Sequence, residues 1–176
     1  MIYEPAEDSF LLQKYVKKFV KKDMKVLDLG TGSGIQAETA KEITNNVLAA
    51  DINKEAVEFV KKKGIKTIQS NLFSNIKGKF DLIIFNPPYL PEDKREDKES
   101  ALTTTGGKKG YETLEKFFKQ AKKHLNKNGK ILIVFSSLTN KEKVNEIITK
   151  NNFKLEQLDS QNLNHEILYA YLIYHQ

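Results

Sequence analysis

Apolar positions along the chain follow two alternating periods. Phe10, Leu12, Tyr15, Val16 and Phe19 share one helical face with Lys and Gln opposite, so a helix opens the chain after Pro5 and must pack on something. Lys25 to Asp28 is a short apolar run closed by a carboxylate, and it leads through Gly30, Gly32 and Gly34 into a helical stretch reaching about Ile43. Val47 to Ala50 repeats the strand signal and ends at Asp51. Lys54 to Lys63 then reads as a helix stopped by Gly64, and Lys66 to Gln69 as a third strand. Phe80 to Phe85 is nearly all apolar, the mark of a strand covered on both faces, and it runs into Asn86-Pro87-Pro88-Tyr89. Residues 90–110 lack apolar periodicity and read as a long surface loop rich in charge, threonine and glycine. Leu114, Phe117, Phe118, Ala121 and Leu125 recur at helical spacing, Ile131 to Phe135 is a fifth strand, and Val144, Ile147 and Ile148 mark another helix. Phe153 to Leu158 and Ile167 to Tyr174, joined by a polar link at Ser160 to Asn164, read as a closing antiparallel pair.

Seven strands interleaved with helices predict an α/β fold: a mostly parallel sheet with right-handed crossovers, helices on both faces and an antiparallel C-terminal strand. Ligands of such sheets bind beyond the carboxyl ends of the strands. Asp28 and the glycines follow strand one, Asp51 strand two, Asn71 strand three and Asn86 strand four, so these polar groups are expected on one rim. With 176 residues, 39% of them apolar, the expectation is one domain over 1–176, with a helical segment 1–22 packed on the core and segment 90–110 on the substrate side.

The longest apolar runs, no more than eight residues, fall far short of the roughly 20 that cross a bilayer, and Glu4, Glu7 and Asp8 break any signal-peptide layout. A soluble cytoplasmic protein with no membrane partner is expected. Cysteine is absent and His124, His165 and His175 are scattered, so no metal site is expected. A net charge of +6 invites a nucleic-acid partner. Against it, only Arg95 of the 29 basic residues is an arginine, and runs such as Lys61 to Lys63 read as solvated helix faces.

Asp28-Leu29-Gly30-Thr31-Gly32-Ser33-Gly34, between a strand and a helix, could cradle a dinucleotide, a phosphate or another adenosine-containing ligand. A dinucleotide loop needs its third glycine three positions after the second, where Ile35 stands, and a phosphate loop needs Gly-Lys-Ser/Thr, which is absent. Asp28, just ahead of the first glycine, suits a ligand end that carries an ammonium group. Asp51 ends strand two, where a carboxylate can accept from both hydroxyls of a ribose, which points to a nucleoside. Two plainer readings stand beside these: Asp51 as a cap for the helix from Asn53, and the glycine turn as helix–strand packing alone.

Two consecutive prolines fix two φ angles and remove two N–H donors, so the exit from strand four is a rigid arch. There Asn86 offers an amide oxygen and Pro87 a carbonyl oxygen, side-by-side acceptors for both hydrogens of an –NH2 group. Tyr89 adds a flat ring that can stack on a planar amide or base. A proline-rich strand terminator with a buried tyrosine is the plain alternative.

Taken together, Asp28 to Gly34, Asp51 and Asn86 to Tyr89 resemble the S-adenosylmethionine-dependent methyltransferases of the Rossmann-like class that modify exocyclic or amide nitrogen. Tyr3-Glu4-Pro5-Ala6-Glu7-Asp8-Ser9, with Gly106-Gly107 after the arch, narrows the likeness to the short HemK-like glutamine N5-methyltransferases of archaea and eukaryotes, over nearly the whole chain. The resemblance implies S-adenosyl-L-methionine as cofactor and Asn86, Pro87 and Tyr89 as catalytic residues. It implies a cofactor site of Ser9, Asp28, Gly30, Gly32, Gly34, Asp51, Asn71, Leu72 and Asn86. Within that site Ser9, Asp28 and Gly30 match the methionine end and Asp51 the ribose. Asn71 and Leu72 match the adenine end, where the family often has Asp at the first position. Ser9 can instead cap the opening helix. The implied reaction is methylation of the glutamine side chain of a Gly-Gly-Gln motif in a peptide-chain release factor, with a small zinc-binding activator protein as partner. The arch by itself also fits an adenine N6 or cytosine N4 methyltransferase acting on RNA or DNA. The glycine loop by itself fits a non-catalytic scaffold that binds the cofactor.

Overall fold

The computed structural model describes residues 2–93, 95 and 97–176. The chain opens with α1 (Glu7–Phe19), β1 (Val26–Leu29), α2 (Ile35–Lys41), β2 (Val47–Asp51), α3 (Lys54–Lys62), β3 (Lys66–Gln69) and β4 (Phe80–Phe85). It continues through β5 (Leu90–Pro91), α4 (Lys98–Thr104), β6 (Thr105–Gly107), α5 (Glu112–Ala121), β7 (Leu125–Ser136), α6 (Lys141–Lys150), β8 (Phe153–Asn162) and β9 (Ile167–His175). Seven strands form one sheet in the order β3-β2-β1-β4-β7-β9-β8. The first five in that order are parallel, and β9 is antiparallel to both its neighbours.

Alternation along the strands divides the core between the two faces of the sheet. Leu27, Leu29, Ile83, Phe85, Ile131 and Ile133 face one cluster, closed by Leu114, Phe117 and Phe118 of α5 and Val144, Ile147 and Ile148 of α6. Val26, Leu82, Ile84, Leu132 and Val134 face the other, closed by Leu12 and Val16 of α1, Ala37 and Ala40 of α2 and Val60 of α3. A strand buried on both sides cannot alternate with polar residues, which is why β4 is almost continuously apolar.

Helix α1 is held from its apolar face and its far end. Besides Leu12 and Val16, its Tyr15 hydroxyl donates to Asp159 of β8 at 2.8 Å, and Lys14 pairs with the same carboxylate. Glu7 and Asp8 occupy its first turn, where the positive end of the helix dipole favours them. The start of the helix, and Asp8 and Ser9 with it, is thereby placed over the carboxyl edge of the sheet.

The structure differs from the sequence reading in four places, the first in α1, where Phe10, expected on the packed face, is exposed and Leu11 is buried. Strand β7 begins at Leu125 and is twelve residues long, its pairing with β4 absorbing a shift between Phe80 and Leu82. Strand β8 continues to Asn162, so the polar link is shorter than its composition suggests. Segment 90–110 carries helix α4 and a parallel pair of short strands, β5 with β6, where a structureless loop was expected; Lys94 and Glu96 of that segment lie outside the described residues. Backbone packing makes this order: a Cβ on Gly106 would stand 2.6 Å from the Pro88 carbonyl oxygen, so only glycine lets β6 lie against the arch.

Candidate active site

Register places the site. Leu29 pairs with Ala50 on one side and Phe85 on the other, and Asp51 pairs with Gln69, so β1 to β4 end almost level. The chain runs from β1 outward through β2 and β3, then returns to β4 on the other side of β1, which makes β1 the switch point where such sheets bind ligands. A cavity of about 950 Å³ opens there. It is lined by Ser9, Asp28, Gly30, Gly32, Asp51, Asn71, Leu72, Asn86, Pro87 and Tyr89, together with residues of segment 90–110. Gly34 is not among the lining residues. Its φ is +87°, and a Cβ there would stand 2.8 Å from Val60 of α3, so its glycine serves helix packing.

The glycine loop is tied to the acidic residues on either side of it. The Thr31 hydroxyl donates to Asp28 Oδ2 at 2.6 Å and the Ala37 amide to the same oxygen at 3.1 Å. Burial pushes the Asp28 carboxyl up to about 7, opposed by those two donors and assisted by the nearby Asp51 charge. Asp51 accepts the Gly32 amide at 2.9 Å on one oxygen and the Asn53 amide at 2.8 Å on the other. Its carboxyl is also raised by burial against those backbone donors. The cap of α3 is Asn53, whose side chain accepts from the Glu55 amide at 2.9 Å, so Asp51 braces the approach to the helix while still facing the cavity.

The third strand ends in a turn built around Ser70. Its hydroxyl donates to the Leu72 carbonyl at 2.7 Å and accepts the Asn75 amide at 3.0 Å. This holds Leu72 at a φ of +48°, a left-handed conformation uncommon for a branched residue and found where surroundings over-determine the backbone. Asn71 sits beside it, exposed, at the rim.

Among the described residues of the site the most connected side chain is Asp8, 4% exposed, which the sequence reading quoted only as part of the opening motif. Its Oδ2 accepts from Asn86 Nδ2 and from the Tyr89 hydroxyl, each at 3.1 Å. The Tyr3 hydroxyl donates to the carboxylate at 3.0 Å and the Ser9 amide to Oδ1 at 2.6 Å. The Ser9 hydroxyl also donates to Oδ1, at 3.2 Å, and accepts the Ala6 amide at 3.4 Å. Both readings of Ser9 therefore coexist: it caps α1 and lines the cavity. Burial first, then the Asp8 charge, lifts the Tyr89 and Tyr3 phenols above their ordinary range, so both remain hydrogen-bond donors.

Two buried acceptors at this end of the cavity are left unpaired among the described residues: Asn86 Oδ1 and Gln36 Oε1. Gln36 is anchored by Nε2 donating to the Ser9 carbonyl at 2.8 Å. A buried polar atom without a partner costs free energy comparable to a lost hydrogen bond, so such atoms mark where a ligand donor belongs. The Tyr89 ring packs into the core as well as lining the cavity, and its carbonyl accepts from Thr139 at 2.7 Å, which ties the arch to the end of β7. Asp8, Gln36 and Thr139 were missed in the sequence because their partners are far along the chain; Tyr3 and Ser70 bond to near neighbours, a local pattern that any helix start or turn can show. The one signal for Asp8 and Tyr3 was their place in the opening motif.

The site fits a cationic nucleoside: Asp8, Asp28 and Asp51 line one cavity, with unpaired oxygens beside them. The chain matches the model of the methyltransferase small domain over residues 8–167. It is similar, at 41% identity over 156 residues, to a Methanocaldococcus jannaschii protein assigned by name to protein N5-glutamine methylation; the match covers 83% of this chain and 78% of that one. It is 40% identical over 124 residues to the release factor glutamine methyltransferase of Borreliella burgdorferi, a match covering 62% of this chain and 43% of that enzyme, less than half its length. Among solved structures, the E. cuniculi Mtq2-Trm112 complex responsible for methylation of the eRF1 translation termination factor superposes with a TM-score of 0.83 at 23% identity, over 99% of both chains. At that identity the likeness speaks for the fold alone.

Proposed function

Because the chain belongs to the methyltransferase small-domain family, in its HemK-like glutamine N5-methyltransferase branch, we propose that it methylates the side-chain amide of a glutamine in a peptide-chain release factor, using S-adenosyl-L-methionine. The observation that carries this reading is Asn86 Oδ1, buried, unpaired and beside Pro87 on the wall of the cavity. An incoming –NH2 group supplies the hydrogens that this oxygen lacks.

The cofactor would supply a methyl group activated by a sulfonium charge, so no protein nucleophile is needed. Asp51 is placed to accept from ribose hydroxyls, and Asp28 with the Gln36 oxygen to receive an ammonium group. Leu72 and Asn71 line the opposite end, where an adenine would lie. Asn86 Oδ1 and the Pro87 carbonyl take the two hydrogens of the substrate amide. This orients the nitrogen and leaves it more electron-rich, and the surplus proton departs to solvent after transfer. An amide nitrogen is a weak nucleophile, so alignment carries most of the rate, an effect worth up to roughly 7–11 kcal/mol for well-placed groups. Tyr89 braces this arrangement through Asp8.

The relatives' names support a release factor as the acceptor, and the E. cuniculi complex supports a small partner protein, which we take to be a zinc-binding activator. A translation factor as substrate implies work in the cytoplasm. The reading is tested by incubating the protein with cofactor, with and without such a partner, and with a release-factor peptide containing Gly-Gly-Gln. Mass spectrometry should find one methyl group on the glutamine, and Asn86→Ala should lower the rate about 10²–10³-fold. Methylation of a parallel adenine- or cytosine-containing oligonucleotide, with the peptide untouched, would overturn it.

A further inference from the structure

We infer that Asp8 is the positioning residue that sets the site's choice of acceptor: it grips the Asn86 carboxamide by its nitrogen, so that the oxygen alone faces the substrate. This rests on the glutamine reading above and goes beyond it, because a carboxamide by itself has no preferred sense. The two ends of the group are nearly equal in size. Turned one way, it offers an oxygen and selects an –NH2 donor; turned the other, it offers its own –NH2 and selects a carbonyl or carboxylate.

Nothing in the arch decides between the two. The decision comes from α1, where Asp8 Oδ2 receives Asn86 Nδ2 at 3.1 Å, while Asn86 Oδ1 is buried without a partner. A carboxylate only accepts, so it binds the nitrogen end and rejects the oxygen end. The other groups on Asp8 hold it in that orientation: Tyr3, Tyr89, the Ser9 amide and the Ser9 hydroxyl all donate to it. The fixed direction of one side chain, 78 positions away in sequence, thus becomes discrimination between glutamine and glutamate.

The same contacts define what an isosteric change would do. In Asp8→Asn the side-chain oxygen stays where the Ser9 amide donates at 2.6 Å, the shortest of these bonds. The new –NH2 then takes the Oδ2 position, facing Asn86 and Tyr89. Asn86 turns over to accept from it, and its own –NH2 enters the cavity. The expected result is a shift of preference away from glutamine and toward glutamate, with tighter binding of the glutamate peptide, which a merely looser fold would not produce.

The experiment uses the full chain with cofactor and, where needed, its partner protein. Methylation of the glutamine peptide is measured for wild type, Asp8→Asn, Asn86→Ala and the double variant, alongside inhibition by a peptide carrying glutamate in place of the glutamine. Asp8→Asn should lower kcat about a hundredfold, yet add little in the Asn86→Ala background, since both changes remove one interaction. Its preference for glutamine over glutamate peptide should shrink at least about tenfold. Additive losses with unchanged preference would overturn the inference while leaving the glutamine reading intact; a wild type that never methylates the peptide would overturn the reading itself. Should Asp8→Asn not fold, the wild type decides by itself. One Asn86 side-chain amide proton should exchange slowly in a selectively labelled sample, and fast exchange of both would refute the grip.

Discussion

Asp28 shows how one residue links the cost of burial to function. At 2% exposure, with its Oδ2 taken by Thr31 and Ala37, its carboxyl holds a proton up to about 7, against an ordinary value of 3.8. Between those values the folded chain binds more protons than the unfolded one, so stability falls as pH rises through the window and levels off above it. The raised carboxyl of Asp51 acts in the same sense. For Asp28 the loss is on the order of 4 kcal/mol. An asparagine would keep an oxygen for Thr31 and Ala37 without the buried charge. Asp28→Asn is therefore expected to flatten the decline in melting temperature between pH 5 and pH 8, and to weaken cofactor binding measured by calorimetry. A variant whose pH profile matches wild type would refute this account. Asp28 could be found in the sequence because it stands next to the glycines that share its task. Asp8 could not, since Asn86 and Tyr89, which give it a role beyond helix capping, lie 78 and 81 positions away.

At the scale of elements, the junction of β1, the glycine loop and α2 does two separable jobs. Gly30 and Gly32 line the cavity, whereas Gly34 caps α2 at a φ of +87° and lets Val60 of α3 close against it. Gly34→Ala introduces an unfavourable left-handed alanine and a 2.8 Å contact, and should cost about 1–3 kcal/mol in urea denaturation while leaving cofactor affinity nearly unchanged. Lost affinity with stability intact would return Gly34 to the binding site. The strands and helices of the core were readable one at a time, since β4 and α5 announce themselves by their apolar periods. Segment 90–110 did not, because β6 is held by close backbone approach to the arch and by pairing with β5, and such contact leaves no hydrophobic period.

For the molecule as a whole, the level ends of β1 to β4 gather residues from six stretches of sequence into one acidic cavity. A ligand that binds only this assembled form stabilises it by mass action, by about 2.7 kcal/mol at a hundredfold excess over Kd. For a chain of 176 residues that corresponds to a rise of about 5–10 °C in Tm on adding S-adenosyl-L-methionine, readable by scanning fluorimetry. No shift at saturating cofactor would count against the assembled site. The order of the core strands and helices, the binding edge, the rigid arch and the polar residues at the strand ends were determined by the sequence itself, since periodicity, glycine spacing and proline stiffness are local properties. Only the tertiary structure decided that Gly34 packs a helix, that β6 lies against the arch, and above all which way Asn86 points. That direction depends on a carboxylate carried in by another helix, and hydrogen-bond geometry across such a distance has no counterpart in the order of residues along the chain.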